Sequence, residues 1–336
     1  MKKLSIVIMI ALVVALAVPA MAATTNNLKA NGHFEIENDK VKDGNSATTG
    51  EFDLFLNAKP ADNVNFYSEL DYTYDFANGA GAGNPENLDV YEMWVNIDNA
   101  FGPVSLKAGR MYETAPDGIL YEFDSDDFAR LAYANGGVSA KFGHNLDTDN
   151  QGKVVFAQGS VKDLGLADEV TVNYVDDNDA NYDGYTVKAT KHHNFGTGTI
   201  LFGDANDAQL IDLGFSTKQL LPGATASLEY ANVEEGFARA TAQDSVLTDT
   251  ALTTTAGAGD VTMIKPGVNF NITNKLNAYA SYAMYSSDNA GDHDYLDTGV
   301  VYSMANNTSL EVELEDNSYD NAADSTTITT TLGVDF

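Results

Sequence analysis

The stretch Ser325–Phe336 reads STTITTTLGVDF, and its alternate positions from Ile328 are apolar except for Thr330, with mostly polar residues between them. Successive side chains of a β-strand point to opposite faces, so this alternation predicts an amphipathic strand. The strand closes on an aromatic residue, Phe336, whereas the last residues of a soluble domain are usually frayed and polar. We therefore expect a C-terminal strand that stays in a sheet up to its final residue.

The same alternation recurs along the chain. It is clear in Leu28–Glu37, in Phe52–Ala58, in Val64–Phe76 and in Leu310–Glu315, each with one apolar and one polar face. No window of comparable length shows the helical period. The pattern predicts an all-β protein built from half-buried strands.

The connections between these segments alternate between short and long. Short, turn-rich links such as Asn135–Gly137 are followed by longer ones such as Val233–Gly259, and Asp204–Asp207 is one short link at a long position. The pattern predicts about 18 antiparallel strands, or about 16, with both ends at one rim. A β-sandwich or propeller has no reason to alternate loop lengths. We therefore expect a transmembrane β-barrel with short periplasmic turns and longer extracellular loops.

The N-terminus has the pattern of an export signal. Lys2 and Lys3 precede an apolar run, Leu4–Val18, and an A-x-A site follows at Ala20–Ala22. The alternative, a membrane anchor, would need about 20 apolar residues. We predict a cleaved signal peptide at residues 1–22, a barrel domain at 23–336 and a location in the bacterial outer membrane.

The composition narrows the functional classes. The chain of 336 residues has a formal net charge of −31 and no cysteine. Such acidity argues against nucleic acid as a partner and suits cations. No nucleophile elbow or phosphate-binding loop is present, so we expect neither enzyme activity nor a cofactor. Asp179, Asn181 and Asp183 begin like a calcium loop but lack its final glutamate, so solvated loop acids are the favoured reading.

The two faces of the strands predict a pore. Backbone groups in lipid must all be paired, so a spanning sheet has to close on itself. Lys or Arg at mid-bilayer costs about 2–4 kcal/mol on the lipid face, and the apolar faces carry almost no charge. The polar faces must therefore look inward. A barrel of this size is too wide for side chains to fill, which favours a water-filled channel.

Taken together, the leader, the alternating strands, the loop pattern and the terminal Phe336 resemble a Gram-negative outer-membrane porin. The segment Phe101–Arg110 resembles the turn and strand before the third loop of general porins. That resemblance implies that the loop Glu113–Ser125 folds inward and faces basic residues across the pore. It also implies a homotrimer in contact with outer-membrane lipid and lipopolysaccharide. General porins usually have about 16 strands, and a count of about 18 is more similar to sugar-specific porins.

The loop and its surroundings supply candidates for the pore constriction. Arg110 has the parity of the apolar face, so its inward placement would need a bulge near Gly109. The acidic candidates are Glu113, Asp117, Glu122, Asp124, Asp126 and Asp127, and the basic ones are Lys107, Arg110, Arg130 and Lys141.

Acidic residues dominate the predicted lumen, and a ring of carboxylates favours cations. We expect cation preference, with weak selectivity in an acidic protein of a saline habitat as the alternative. The lumen acids are Glu35, Glu37, Glu51, Asp53, Glu69, Asp71, Glu229, Glu311, Glu313 and Glu315.

The leading hypothesis is a passive channel for small hydrophilic solutes and ions. A substrate-specific, sugar-type channel is the alternative, and lumen aromatics would support it. A non-conducting structural barrel is the third hypothesis, although no domain is available to plug it. The aromatic candidates are Phe55, Tyr67, Trp94, Tyr279 and Tyr285.

Overall fold

The computed structural model describes residues 28–42, 44, 46–76, 89–115, 119–146, 154–177, 182–218, 220–237, 259–289, 291–305, 307–320 and 323–336. The predicted signal peptide lies outside these residues. The strands are β1 (Leu28–Val41), β2 (Ser46–Ala61), β3 (Val64–Asp75), β4 (Asp89–Phe101), β5 (Val104–Thr114), β6 (Glu122–Asn135), β7 (Val138–Asn145), β8 (Val154–Lys162), β9 (Glu169–Asp177), β10 (Tyr182–His192), β11 (Gly196–Ala205), β12 (Ala208–Thr217), β13 (Ala224–Val233), β14 (Val261–Asn271), β15 (Leu276–Ser287), β16 (His293–Ala305), β17 (Thr308–Tyr319) and β18 (Ser325–Asp335).

These strands form one closed antiparallel barrel. Each strand pairs with its neighbours in the chain, and β1 pairs with β18 to close the sheet. The closing register joins His33 to Asp335 and Val41 to Thr327. The predicted all-β barrel is confirmed, with 18 strands rather than the smaller alternative. In the described part of the chain, no helix is long and apolar enough to cross a bilayer.

Short turns collect at one rim, as the link lengths predict. The turn between β6 and β7 is Gly136–Gly137, and both glycines have positive φ. Positive φ at both central residues matches the right-handed twist of a hairpin. At the other rim, β11 and β12 also join through two residues, Asn206 and Asp207, with φ of 53° and 65°. This is the short link that interrupts the alternation.

The strand register gives the two faces of the barrel opposite character. Large apolar side chains such as Ile200, Leu228 and Val312 are exposed on the outer face, where lipid would cover them. Positions between them carry carboxylates, for example Glu229 and Glu311. The faces of the barrel therefore differ as a membrane channel requires.

The last residue takes part in barrel closure. Phe336 and Gly32 exchange two backbone hydrogen bonds, of 2.8 and 2.9 Å. The Phe336 ring stacks on Phe52 with centroids 6.0 Å apart. A Cβ on Gly32 would lie 2.3 Å from Cζ of Phe336, so the ring occupies the space that any other residue at position 32 would need. The predicted strand does remain in the sheet to its end.

Candidate functional site

The connection between β5 and β6 folds into the lumen. It is shorter than the predicted loop, because β5 runs to Thr114 and β6 begins at Glu122. The backbone N–H of Ala115 donates to the carbonyl of Tyr121 at 2.9 Å and closes the loop at its base. Leu120 lies against the inner wall, since a Cβ on Gly184 would be 2.9 Å from its Cδ1.

A buried apolar cluster holds this loop against the wall. Ile119, Leu120 and Tyr121 are at most 8% exposed, and Tyr121 stacks on Phe123 with centroids 5.2 Å apart. The wall contributes lumen-facing apolar residues from eight strands. With the loop residues, the cluster comprises Met111, Ala115, Ile119, Leu120, Tyr121, Phe123, Phe128, Val154, Phe156, Val175, Tyr182, Leu201, Ala205, Ala208, Leu210, Val233 and Phe237.

Sequence reasoning missed this cluster, although a signal was present. A half-buried strand alternates, but Val154–Phe156 and Ile200–Phe202 are continuous apolar runs. Such runs indicate burial on both faces. The loop is therefore fixed mainly by apolar packing, and only in part by its acids.

Three charged candidates meet at the base of the loop. Glu113 is 4% exposed and accepts hydrogen bonds from Arg130 Nη1 at 2.5 Å and from Lys141 Nζ at 3.1 Å. These residues lie on the adjacent strands β5, β6 and β7. The porin resemblance implied acids and bases facing each other across the pore. Here, Glu113 and its two basic partners share one wall, and the single carboxylate offsets one of their two positive charges.

A second group surrounds Trp94 on the same wall. The indole Nε1 donates to Glu92 Oε2 at 2.8 Å, and the ring stacks on Tyr67 with centroids 5.1 Å apart. The Lys107 ammonium lies 3.9 Å from the centre of the Trp94 ring. Trp94 therefore lines the lumen, in keeping with its polar-face parity, and is not an interfacial residue.

Arg110 and Asp127 need a correction as constriction candidates. Arg110 is cross-strand to Met93 and Asp127, on the face opposite to Lys107. Gly109 has φ of 131°, but the register does not shift there, so no bulge turns Arg110 inward. Arg110 Nε lies 3.9 Å from Asp127 Oδ1 on the outer surface.

The remaining loop acids are dispersed. Glu122 accepts a hydrogen bond from the Tyr112 hydroxyl at 2.6 Å. Asp126 pairs in register with Met111. Asp117 lies outside the described residues, and Asp124 is described only as a backbone position of β6.

Carboxylates line the wall that contains the closing seam. The three glutamates of β17 accept from tyrosines: the Tyr279 hydroxyl lies 2.9 Å from both Glu311 Oε1 and Glu313 Oε1, and Tyr295 donates to Glu315 at 2.5 Å. The predicted lumen acids of β1–β3, among them Glu35 and Glu37, continue this surface across the seam in register. Glu229, on β13, instead lies opposite Lys265.

Charged residues are therefore distributed unevenly around the lumen. Lys107, Arg130 and Lys141 lie on β5–β7, whereas most of the predicted lumen acids lie on β17 and β1–β3. One side of the lumen is therefore predominantly negative, and the other carries these three bases beside the apolar cluster.

The weak calcium candidates form no site in the described part of the chain. Asp183 lies in β10, and Asp179 and Asn181 are outside the described residues. Among the described residues, no group of three or more His, Asp or Glu side chains could hold a metal ion.

Comparison with known proteins gives a likeness of fold. No family model and no curated protein matches the sequence. The crystal structure of Pseudomonas aeruginosa OpdK with vanillate matches with a TM-score of 0.73 and 11% identity, over 93% of this chain and 99% of that one. P. aeruginosa OccK3 (OpdO) matches with 0.70 and 12%, over 93% and 96%. OccK5 (OpdH) matches with 0.68 and 11%, over 93% and 98%.

These similarities concern the barrel as a whole, since each alignment covers nearly all of both chains. OpdK is an outer-membrane protein. The chain has the closed 18-stranded barrel fold of these outer-membrane proteins.

Proposed function

We propose that this protein is an outer-membrane channel through which small hydrophilic solutes and ions diffuse passively. The observation that carries the proposal is the closed barrel with an apolar outer face and a charged inner face. Only a closed sheet can satisfy its backbone in lipid, and a polar interior of this width holds water. The inward loop, of which residues 115 and 119–121 are described, narrows this path and sets the size of the solutes that pass.

The channel prefers cations. The predicted lumen acids, most of them on β17 and β1–β3, outnumber the lumen bases, and Glu113 forms ion pairs with two of those bases. A wall of carboxylates raises the local cation concentration. The Debye length is about 10 Å at 0.1 M salt and shortens as salt is added, so the cation preference falls as ionic strength rises.

A substrate-specific channel is the second candidate. OpdK, with the same fold, was crystallised with vanillate. In this chain the stacked Tyr67 and Trp94 rings, with Lys107 above Trp94, form an aromatic and cationic surface beside the constriction. Such a surface suits a planar solute with an anionic group.

The cellular setting follows from the same proposal. Residues 1–22 direct export and are removed, the mature barrel sits among outer-membrane lipid and lipopolysaccharide, and three copies associate. The exposed apolar outer face supports the membrane location. The trimer rests only on the resemblance to porins, and crosslinking in native membranes tests it.

Liposome swelling separates the two candidates. Passive diffusion predicts uptake of neutral sugars that falls smoothly with solute size. A specific channel predicts uptake of one solute class that saturates with concentration. Liposomes with the inserted barrel that swell for no solute contradict both.

A further inference from the structure

Three pairs of carboxylates face each other across neighbouring strands of the lumen. Glu35 is directly opposite Glu51, Asp53 opposite Asp71 and Glu69 opposite Glu92. Side chains directly opposite one another have Cβ atoms about 4.5–5.5 Å apart, and like charges there are destabilising. Repeating this arrangement along β1–β4 costs stability, so it calls for an explanation in function.

The first and third of these pairs have hydrogen-bond donors within the protein. His33 Nε2 lies 3.5 Å from Glu35 Oε2. At the other end, the Tyr67 hydroxyl donates to Glu69 at 2.7 Å, and Trp94 donates to Glu92.

The middle pair lacks such donors. His33 is in register with Asp53, but its Nδ1 lies 2.8 Å from Asp335 and its Nε2 is directed at Glu35. Asp53 is 9% exposed, and neither its Oδ1 nor the Oδ1 of Asp71 has a hydrogen-bond partner in the described structure. A buried polar oxygen without a partner is costly, and for a charged group more so.

The shape of the cluster indicates which ligand would complete it. Metal ions need several ligands that converge on one point, and the described residues contain no such group. Paired carboxylates suit a cation with several N–H donors, because ammonium has three and guanidinium has five in a planar fork. Asp71 is only partly buried, so the pair can be approached from the lumen on the Asp71 side, while Asp53 is 9% exposed.

We propose that Asp53 and Asp71 form a binding subsite for the ammonium or guanidinium group of a cationic organic solute. The inference rests on the proposed channel and names the solute class that this wall retains. Glu51 and Glu69, the neighbouring acids on the same two strands, attract the cation toward the pair.

Single channels in a planar bilayer test the subsite. K⁺ current is recorded while methylguanidinium is added, and tetramethylammonium serves as a probe of equal charge without N–H donors. The variants are Asp53→Asn with Asp71→Asn, each single substitution, and a matched control, Glu311→Gln with Glu313→Gln. Heat-dependent electrophoretic mobility shows whether each barrel is folded. If the double variant does not fold, the single variants are used for the test instead.

The subsite predicts a concentration-dependent block by methylguanidinium that is about tenfold or more weaker in the Asp53 and Asp71 variants, as loss of charge-assisted hydrogen bonds requires. The block should change by less than about twofold in the control, and tetramethylammonium should not distinguish the channels.

Two results overturn the subsite alone. One is an equal block in the wild type and the aspartate variants. The other is an equal loss in the control, which would assign the effect to overall lumen charge. A wild-type barrel that inserts but carries no K⁺ current overturns both the channel and the subsite.

Discussion

At the scale of residues, Gly32 and Phe336 show how one position couples the two ends of the chain. The aromatic ring lies over the glycine and against Phe52 at the closing seam. Aromatic side chains that cover strand glycines pin the register of a sheet. The terminal aromatic residue is visible in the sequence, but its partner is not, because Gly32 is 304 residues away and the pairing exists only after closure.

Gly32→Ala should weaken closure. The new Cβ would overlap the Phe336 ring, and displacing the ring loses its contact with Phe52. Overpacking of this kind costs about 1–3 kcal/mol. We expect a lower temperature for the heat-induced mobility shift on electrophoresis. Gly159→Ala is the matched control, because a Cβ there meets nothing within 4 Å. Equal transition temperatures for both variants would contradict this role of the seam.

Glu113→Gln should destabilise the barrel and reduce its cation preference. The change leaves Arg130 and Lys141 without their shared carboxylate, at a cost of about 1–3 kcal/mol for a buried charge-assisted interaction. Glu51→Gln removes the same charge from the lumen without breaking an ion pair found in the structure, so it should alter selectivity but not the unfolding temperature. Unfolding temperatures that do not differ between the two variants would show that the ion pairs add no stability.

At the scale of elements, the strands could be predicted from the local sequence pattern, whereas the structure of the constriction could not. Period-two alternation and link length depend on residues close in sequence, so the strand number and the faces were predictable. Loop residues 119–121 belong to an apolar cluster that includes residues as distant as Leu201 and Val233. At Arg110 the alternation gave the correct prediction, because its parity placed the side chain on the apolar outer face. The inward position implied by the porin resemblance was wrong.

Leu120→Ala should widen the channel. Leu120 is fully buried between the loop and the wall, and a Leu→Ala change at such a site costs about 2–5 kcal/mol of packing. Because the strands are held together by their own backbone hydrogen bonds, we expect the loop to loosen while the barrel stays closed. Single-channel conductance should rise, and larger sugars should enter in liposome swelling. Leu166→Ala is the control, since Leu166 is 96% exposed in a turn. Unchanged conductance in the Leu120 variant would show that the loop does not limit the pore.

At the scale of the whole molecule, closure and charge act together. The barrel removes sheet edges and satisfies the backbone, so its interior can carry charges that no packed core would accept. Part of the net charge of −31 lies on one acidic wall, and three bases, Lys107, Arg130 and Lys141, lie together on β5–β7 near Glu113. Which residues share a wall depends on which strands are neighbours around the barrel, and the strand pairing shows that order.

The most direct measurement is the reversal potential of the purified barrel in a planar bilayer under a KCl gradient. An acidic, water-filled lumen predicts stepwise conductance and a dilute side that becomes positive, because K⁺ crosses more readily than Cl⁻. Raising the salt on both sides should shrink the potential through screening. Inserted barrels that pass no current, or a dilute side that becomes negative, would contradict the account.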